Sequence, residues 1–406
     1  MRRLRQRLHG AGEAGAAGGR HAHGQRGLST SEGPPRSPRR QHGPRGKPSV
    51  AHTWFARLEP ARLARTLAIG GVGGAVFFAF NLPLAWMLGA MVFCTVASLG
   101  GIPIKVPGRM RGVFITIIGV FLGSTFTPDV LAHIAQWPLS IAGMVLYVGL
   151  ITAVLYVYFR RVQGFDRATA YFAATPGGLT EMVIAGGALG GDDRRIALVH
   201  AARVLMVVLI IPLGFRYVEG DAAITTGTGV PMARLQLNEM WVLLACAVVG
   251  PFIGRALRLP AYRMVGPLLA SAAVHMVGWS HSPPPLELVA LAQVVVGCSV
   301  GARFAGVPIK QVVSVISASV GSTTLMLLAS VVFALAAHRF TGLGLEPLIL
   351  AYSPGGLAEM SLIALALGIE TAFVATHHVI RIGLIVISAP LLFRLFERWR
   401  GRAPRA

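Results

Sequence analysis

The sequence predicts an all-α polytopic integral membrane protein made of two inverted repeats, each of about five crossings plus one segment broken by Pro-Gly-Gly. Three observations predict it. Hydrophobic residues make up 54% of the 406 residues and charged residues only 13%, whereas a soluble domain carries roughly 25% charged. A chain so composed cannot cover a water-facing surface, which excludes a soluble multidomain enzyme. Apolar runs recur at close to the ~20 residues a helix needs to cross a bilayer. The second half of the apolar region also repeats the first.

Residues 1–55 read as a basic tail. The first 50 residues hold 11 of the 37 Lys and Arg against only Glu13 and Glu32. With Pro34, Pro35, Pro38 and Pro44 among them, they lack the apolar content to offset the entropy of ordering, so disorder is expected. No apolar h-region follows Arg2, Arg3, Arg5 and Arg7, so a secretory signal peptide is not expected. Twelve apolar segments follow, separated by short polar breaks: 62–80, 84–101, 112–127, 139–159, 168–190 and 195–215, then 240–256, 262–279, 286–304, 311–337, 346–368 and 372–393. A short basic tail, 399–406, closes the chain. Cys94, Cys246 and Cys298 lie in apolar runs with no paired spacing, so neither a disulfide framework nor a zinc site is expected.

The duplication is explicit. Pro176–Arg216 aligns without gaps onto Pro354–Arg394, 178 positions later, with 17 of 41 positions identical. Upstream, Gly119, Gly123 and Phe126 match Gly297, Gly301 and Phe304 at the same offset. Leu82, Pro83, Met87 and Gly89 match Leu259, Pro260, Met264 and Gly266 at 177. A fixed period means one structural unit used twice, so the domains are repeat 1 over 60–220 and repeat 2 over 238–398.

Loop charge decides the relative orientation. If all twelve segments cross, loop Lys and Arg divide almost evenly between the two faces. If each Pro-Gly-Gly segment enters and leaves on one side, each repeat crosses five times and the second is inverted. Then 13 basic residues gather on one face and only Arg216, Arg234 and Arg339 lie on the other. The positive-inside rule favours this arrangement, with both termini cytoplasmic in a plasma (inner) membrane. The remaining net positive charge then belongs to loops, and direct nucleic-acid binding is not expected.

The candidate site residues are the polar groups held at membrane depth. Pro176, Gly177 and Gly178, with Pro354, Gly355 and Gly356, interrupt apolar segments. Proline removes an N–H and clashes with the preceding turn, and the backbone groups it frees are tolerated at this depth only when protein-buried or lining a watery cavity. Paired broken helices in inverted halves are a sequence pointer to a transporter's binding site. Glu181 and Glu359 fall in the first turn after each break, where the helix dipole favours a carboxylate and where an acid at membrane depth is a candidate proton or cation site. Thr175 and Ser353, just before each Pro, offer hydroxyls to a ligand or to the broken turn. His200 with Arg203, and His378 with Arg381, lie three residues apart on apolar helices. A membrane Arg costs roughly 2.5–3.5 kcal/mol on insertion scales and must find a partner. Two partners are expected equally: the Glu of the same repeat in a buried ion pair, or an anionic substrate between Arg203 and Arg381. His377 has no counterpart at Val199. Most Trp residues are expected at membrane interfaces. No cofactor, catalytic residue or metal site is indicated.

The paired Pro-Gly-Gly-Leu-x-Glu-Met segments and the 178-residue repeat resemble the AbrB membrane family, whose halves are called AbrB duplication domains. The resemblance covers about residues 65–395 and carries only Pro176–Met182 and Pro354–Met360 as family motif. It implies the membrane fold and brings two labels, regulator of an alkylation-response gene and ammonia monooxygenase. The duplicated set of one Glu, one His and one Arg per half is too sparse for a di-metal oxidase, so an enzyme is not expected. Two readings remain: a secondary transporter or exporter of a small anionic solute, in contact with lipid and open to homo-oligomerisation, or a membrane-bound regulator of gene expression acting through a partner.

Overall fold

The computed structural model describes residues 59–128, 130, 134–219 and 230–402. The predicted tail over 1–55 and the last four residues lie outside this range. Among the described residues fourteen α-helices form and no strand does. Repeat 1 contains α1 (Pro60–Ala79), α2 (Ala85–Leu99), α3 (Gly108–Gly123), α4 (Trp137–Arg161), α5 (Arg167–Ala174), α6 (Leu179–Ala188) and α7 (Asp193–Glu219). Repeat 2 contains α8 (Leu237–Ala256), α9 (Tyr262–Met276), α10 (Leu286–Gly301), α11 (Ile309–Thr341), α12 (Leu345–Tyr352), α13 (Leu357–Ala366) and α14 (Thr371–Arg402). The order of long, short and broken helices is the same in both. Seven helices are long and apolar enough to cross a membrane: α1, α4, α7, α8, α10 with its 3₁₀ extension, α11 and α14.

The recurring glycines are the places where backbones touch. A Cβ at Gly73 or Gly89 would collide with the backbone of the other, and Gly250 and Gly266 repeat that contact 177 residues later. Gly119 lies against the Met264 carbonyl as Gly297 lies against the Met87 carbonyl. Thus α3 packs on α9 as α10 packs on α2. Helices in lipid lack a hydrophobic drive to associate and depend on such close approach at small residues.

Hydrogen bonds fix which helix ends lie together. Ser98 on α2 donates to Gly301 O at the end of α10 (2.9 Å), and the backbone N–H of Lys105 reaches Thr66 in α1 (3.0 Å). Arg194 at the start of α7 donates to Gly306 O (3.3 Å). Arg167 pairs with Glu397 near the end of α14 (3.5 Å). These contacts gather the first turns of α1, α5 and α7 and the last turns of α2, α10 and α14 at one end of the bundle. At the other end, Arg216 closes on Asn81 O (2.9 Å), and His377 near the start of α14 meets Ser140 near the start of α4 (2.9 Å).

The decisive contact is Asp192 N–H to Thr169 Oγ1, 2.7 Å. It joins the residue after α6 to the first turn of α5, so the broken segment of repeat 1 enters and leaves at the same end. In repeat 2, α12 follows the far end of α11, and α13 returns to the start of α14 at that same far end. Repeat 1 therefore begins at one end and repeat 2 at the other, which is the inversion. A labelling experiment checks it. Single cysteines at Arg161 and Asp193 should react with a membrane-impermeant maleimide from one side only, and those at Glu346 and Glu370 from the opposite side. Labelling of all four from one side would contradict the inversion.

Packing divides the helices into two bundles, each drawn from both repeats. Helices α1–α3 and α8–α10 pack chiefly on one another, and α4–α7 pack with α11–α14. The main buried core fills the second bundle and reaches into the first. Trp137 belongs to this core rather than to an interface: it is buried and meets Phe373 edge-on at 5.4 Å. Cys94 and Cys298, unrelated by spacing, meet where α2 crosses α10, both with thiols towards Thr66 O.

Candidate functional site

The predicted apolar segments 168–190 and 346–368 are each split in two. In repeat 1, α5 starts on an Asp166 cap that accepts from Thr169 N–H (2.9 Å), runs eight residues and stops at Thr175 in extended conformation. Pro176 cannot continue the ladder. A tight turn around Pro176, closed by the Gly177 N–H on Thr175 O (2.9 Å), leads to Gly178, the extended N-cap of α6. In repeat 2 the break runs from Ser353 to Gly356, the N-cap of α13. The hydroxyls of Thr175 and Ser353 close back on their own helices, onto Tyr171 O (2.8 Å) and Ile349 O (2.6 Å). They satisfy the broken turn.

The carbonyls freed by each break are held by arginine. Arg381 donates to Ser353 O (2.7 Å) and Gly355 O (2.6 Å). Arg203 makes the equivalent but longer contacts, to Thr175 O at 3.4 Å and Gly177 O at 3.5 Å. A cation at the C-terminal end of a half-helix also answers its dipole. The expected Glu–Arg ion pair is not what forms: among the described residues no carboxylate pairs with Arg203 or Arg381. The forked guanidinium matches two parallel carbonyls; Arg381 bonds both in repeat 2, whereas in repeat 1 Thr175 O also accepts from the Gly177 N–H (2.9 Å) and depends less on Arg203. His200 stands behind Arg203. Its Nε2–H donates to Phe172 O (2.9 Å), so its Nδ1 accepts from Arg203 at 3.0 Å. A guanidinium has only donors, so this geometry requires a neutral imidazole. His378 is equally buried beside the Ala351 backbone and makes no hydrogen bond of good geometry. His377 instead bonds Phe373 O and Ser140 Oγ, each at 2.9 Å.

A cavity of about 310 Å³ lies between the two bundles. Gly177, Gly178, Glu181 and Arg203 line it from repeat 1, and Gly355, Gly356, Glu359 and Arg381 from repeat 2. The two breaks therefore meet. Glu181 is half-buried and Glu359 buried. Each carboxylate curls back over its own N-cap glycine, filling the space a Cβ there would need. Of the remaining sequence-predicted residues, Thr175, Pro176, His200, Ser353, Pro354 and His378 are not among those lining the cavity. They stand behind it and shape the breaks.

Three further arginines line the cavity: Arg111 on α3, Arg263 on α9 and Arg303 after α10. Loop charge had absorbed them in the sequence. One signal was available for Arg303: the repeated Gly-x-x-Phe has Thr125 in the first copy and arginine in the second. Arg263 reaches the cavity because α3 has no side chain at Gly112, where a Cβ would strike the guanidinium. All three sit at the helix ends gathered with the first turn of α1, so the cavity opens at the basic end of the bundle.

The family model described as transition state regulatory protein AbrB matches residues 86–397. A Bacillus subtilis (strain 168) relative named "Uncharacterized protein YhjN" is 27% identical over 363 residues, covering 82% of this chain and 93% of its own length. An Escherichia coli (strain K12) relative named "Putative regulator AbrB" is 26% identical over 328 residues, covering 80% of this chain and 93% of its own length.

Proposed function

The chain belongs to the AbrB family, and from that premise we propose that it is a secondary transporter or exporter moving a small anionic solute through the cavity between its repeats. One observation carries the reading: both Pro-Gly-Gly breaks, both membrane glutamates and five arginines line a single cavity inside an apolar bundle. Burying this charge is costly, and the breaks themselves use only Arg203 and Arg381 of it. Half-helix N-termini and arginines aimed into one space attract anions. Inverted repeats give two related arrangements of one site, the symmetry on which alternating access rests. The basic end, where α1 starts and α14 ends, faces the cytoplasm of an inner-membrane protein in this reading. No chemical transformation is assigned to the protein, which works without a cofactor among lipids, alone or self-associated.

Purified full-length protein in proteoliposomes tests the reading. A panel of small organic and inorganic anions should include at least one whose movement is saturable and absent from protein-free vesicles. A second reading draws on the name of the Escherichia coli relative, that of a membrane regulator of gene expression acting through a partner. It predicts no movement of any anion, with a deletion phenotype that survives Glu181→Gln and Glu359→Gln but is lost with residues 1–50 or the loops of the basic end.

A further inference from the structure

The central cavity holds more positive charge than one monoanion requires. Five arginines line it against two carboxylates. Arg203 and Arg381 are engaged with the break carbonyls, yet each keeps its Nε buried without a partner, in residues 3% and 1% exposed. Of the three arginines at the mouth, Arg263 is exposed and donates its Nε–H to Tyr262 Oη (3.1 Å), whereas Arg111 and Arg303 are half-buried. Arg303 faces Arg111, a like charge, and Glu359. The Nε of Arg111 is also buried without a partner, and none of the three joins an ion pair among the described residues. Adjacent guanidiniums in a low-dielectric cleft repel strongly unless an anion lies between them.

The duplication also doubles the anion-binding ends. Helices α6 and α13, ten residues each, both begin at a glycine that lines the cavity. Each beginning presents N–H groups without intrahelical acceptors and about half a positive charge. Each is covered by the carboxylate of its own Glu, so the cavity already holds two carboxylates, one over each half-helix.

We infer that the cavity takes a small molecule with two separated anionic groups, a dicarboxylate in chemical class, one group at each half-helix beginning in place of Glu181 and Glu359. Arg303 and Arg111 supply the charge that distinguishes it from a monoanion. The pseudo-twofold relation supports two groups rather than one: a monoanion satisfies one half-helix and leaves its twin as it was. The cavity volume of about 310 Å³ stands at the small end of the ~300–1,000 Å³ range of ligand pockets and limits the molecule to a few carbons. This inference rests on the anion-site reading above but not on the occurrence of transport.

The test is binding. Full-length protein in detergent, at fixed pH and ionic strength, is titrated with malonate, succinate and glutarate, with the monocarboxylates of matching carbon number, and with inorganic phosphate, while thermal unfolding is followed. At least one dicarboxylate should raise the unfolding midpoint saturably, with an apparent affinity at least tenfold above its matched monocarboxylate and above phosphate. Arg303→Gln should bring the two acids to parity, and Arg303→Lys should keep most of the preference, which separates lost charge from lost folding. Equal binding of mono- and dicarboxylates, tighter phosphate binding, or an unchanged preference in Arg303→Gln would overturn the dicarboxylate inference and leave an anion site standing. If no anion shifts the midpoint, both readings fall.

Discussion

Arg381→Ala should destabilise the folded protein by about 3 kcal/mol, more than any other single truncation around the breaks. The side chain holds two carbonyls, Ser353 O and Gly355 O, at 2.7 and 2.6 Å. Ser353 is buried away from the cavity, and backbone groups left open in the bilayer interior each cost several kcal/mol. A hydrogen bond to a charged group contributes roughly 1.5–3 kcal/mol. Relief of the buried cation's desolvation offsets part of the two-bond loss, hence a net near 3 rather than 5. Lysine restores the charge but not the fork, so Arg381→Lys should recover only part. Arg203→Ala should cost clearly less, because its contacts are 3.4 and 3.5 Å. Thermal unfolding of the three variants in detergent measures this. Equal midpoints for Arg203→Ala and Arg381→Ala would contradict the asymmetry, and an unshifted Arg381→Ala would remove the staple role altogether.

The largest functional effect is expected at Glu359. Glu359→Gln keeps the size and shape of a side chain that lies over the start of α13, so the fold should survive. It removes the carboxylate that lies over the α13 N-terminus and faces Arg303. Solute movement in proteoliposomes should fall at least tenfold, or continue without response to an imposed pH gradient. The first outcome makes the carboxylate part of the transport path, and the second makes it the proton-coupling group. Glu181→Gln should act in the same direction and more weakly, since Glu181 is half-buried where Glu359 is buried. Rates and pH response like those of the unaltered protein in both variants would sink the proposed pathway.

Much of this architecture was readable from residues alone because lipid leaves the backbone few choices. A chain that cannot hydrogen-bond to its solvent must satisfy itself within each helix, so the spans show as apolar runs and each failure of a span shows as Pro-Gly-Gly. The repeat offset of 177 to 178 identifies the two units, and loop charge together with crossing parity gives their inversion, which Asp192 and Thr169 then display in space. The paired Glu and Arg positions were legible as polar residues that apolar helices would otherwise exclude.

Partnership was not legible. The sequence offered each Arg its neighbouring Glu or a ligand. The folded chain gives Arg203 and Arg381 the broken backbone and sends Glu181 and Glu359 to the half-helix beginnings. Arg111, Arg263 and Arg303 read as loop charge and became cavity wall only when α3, α9 and α10 were brought beside the breaks. The reason is physical: composition and periodicity report what one helix needs from its surroundings, whereas a side chain's partner depends on how closely distant helices approach. Here that approach is set by contacts such as Gly112 with Arg263 and Gly297 with Met87, which join residues far apart along the chain.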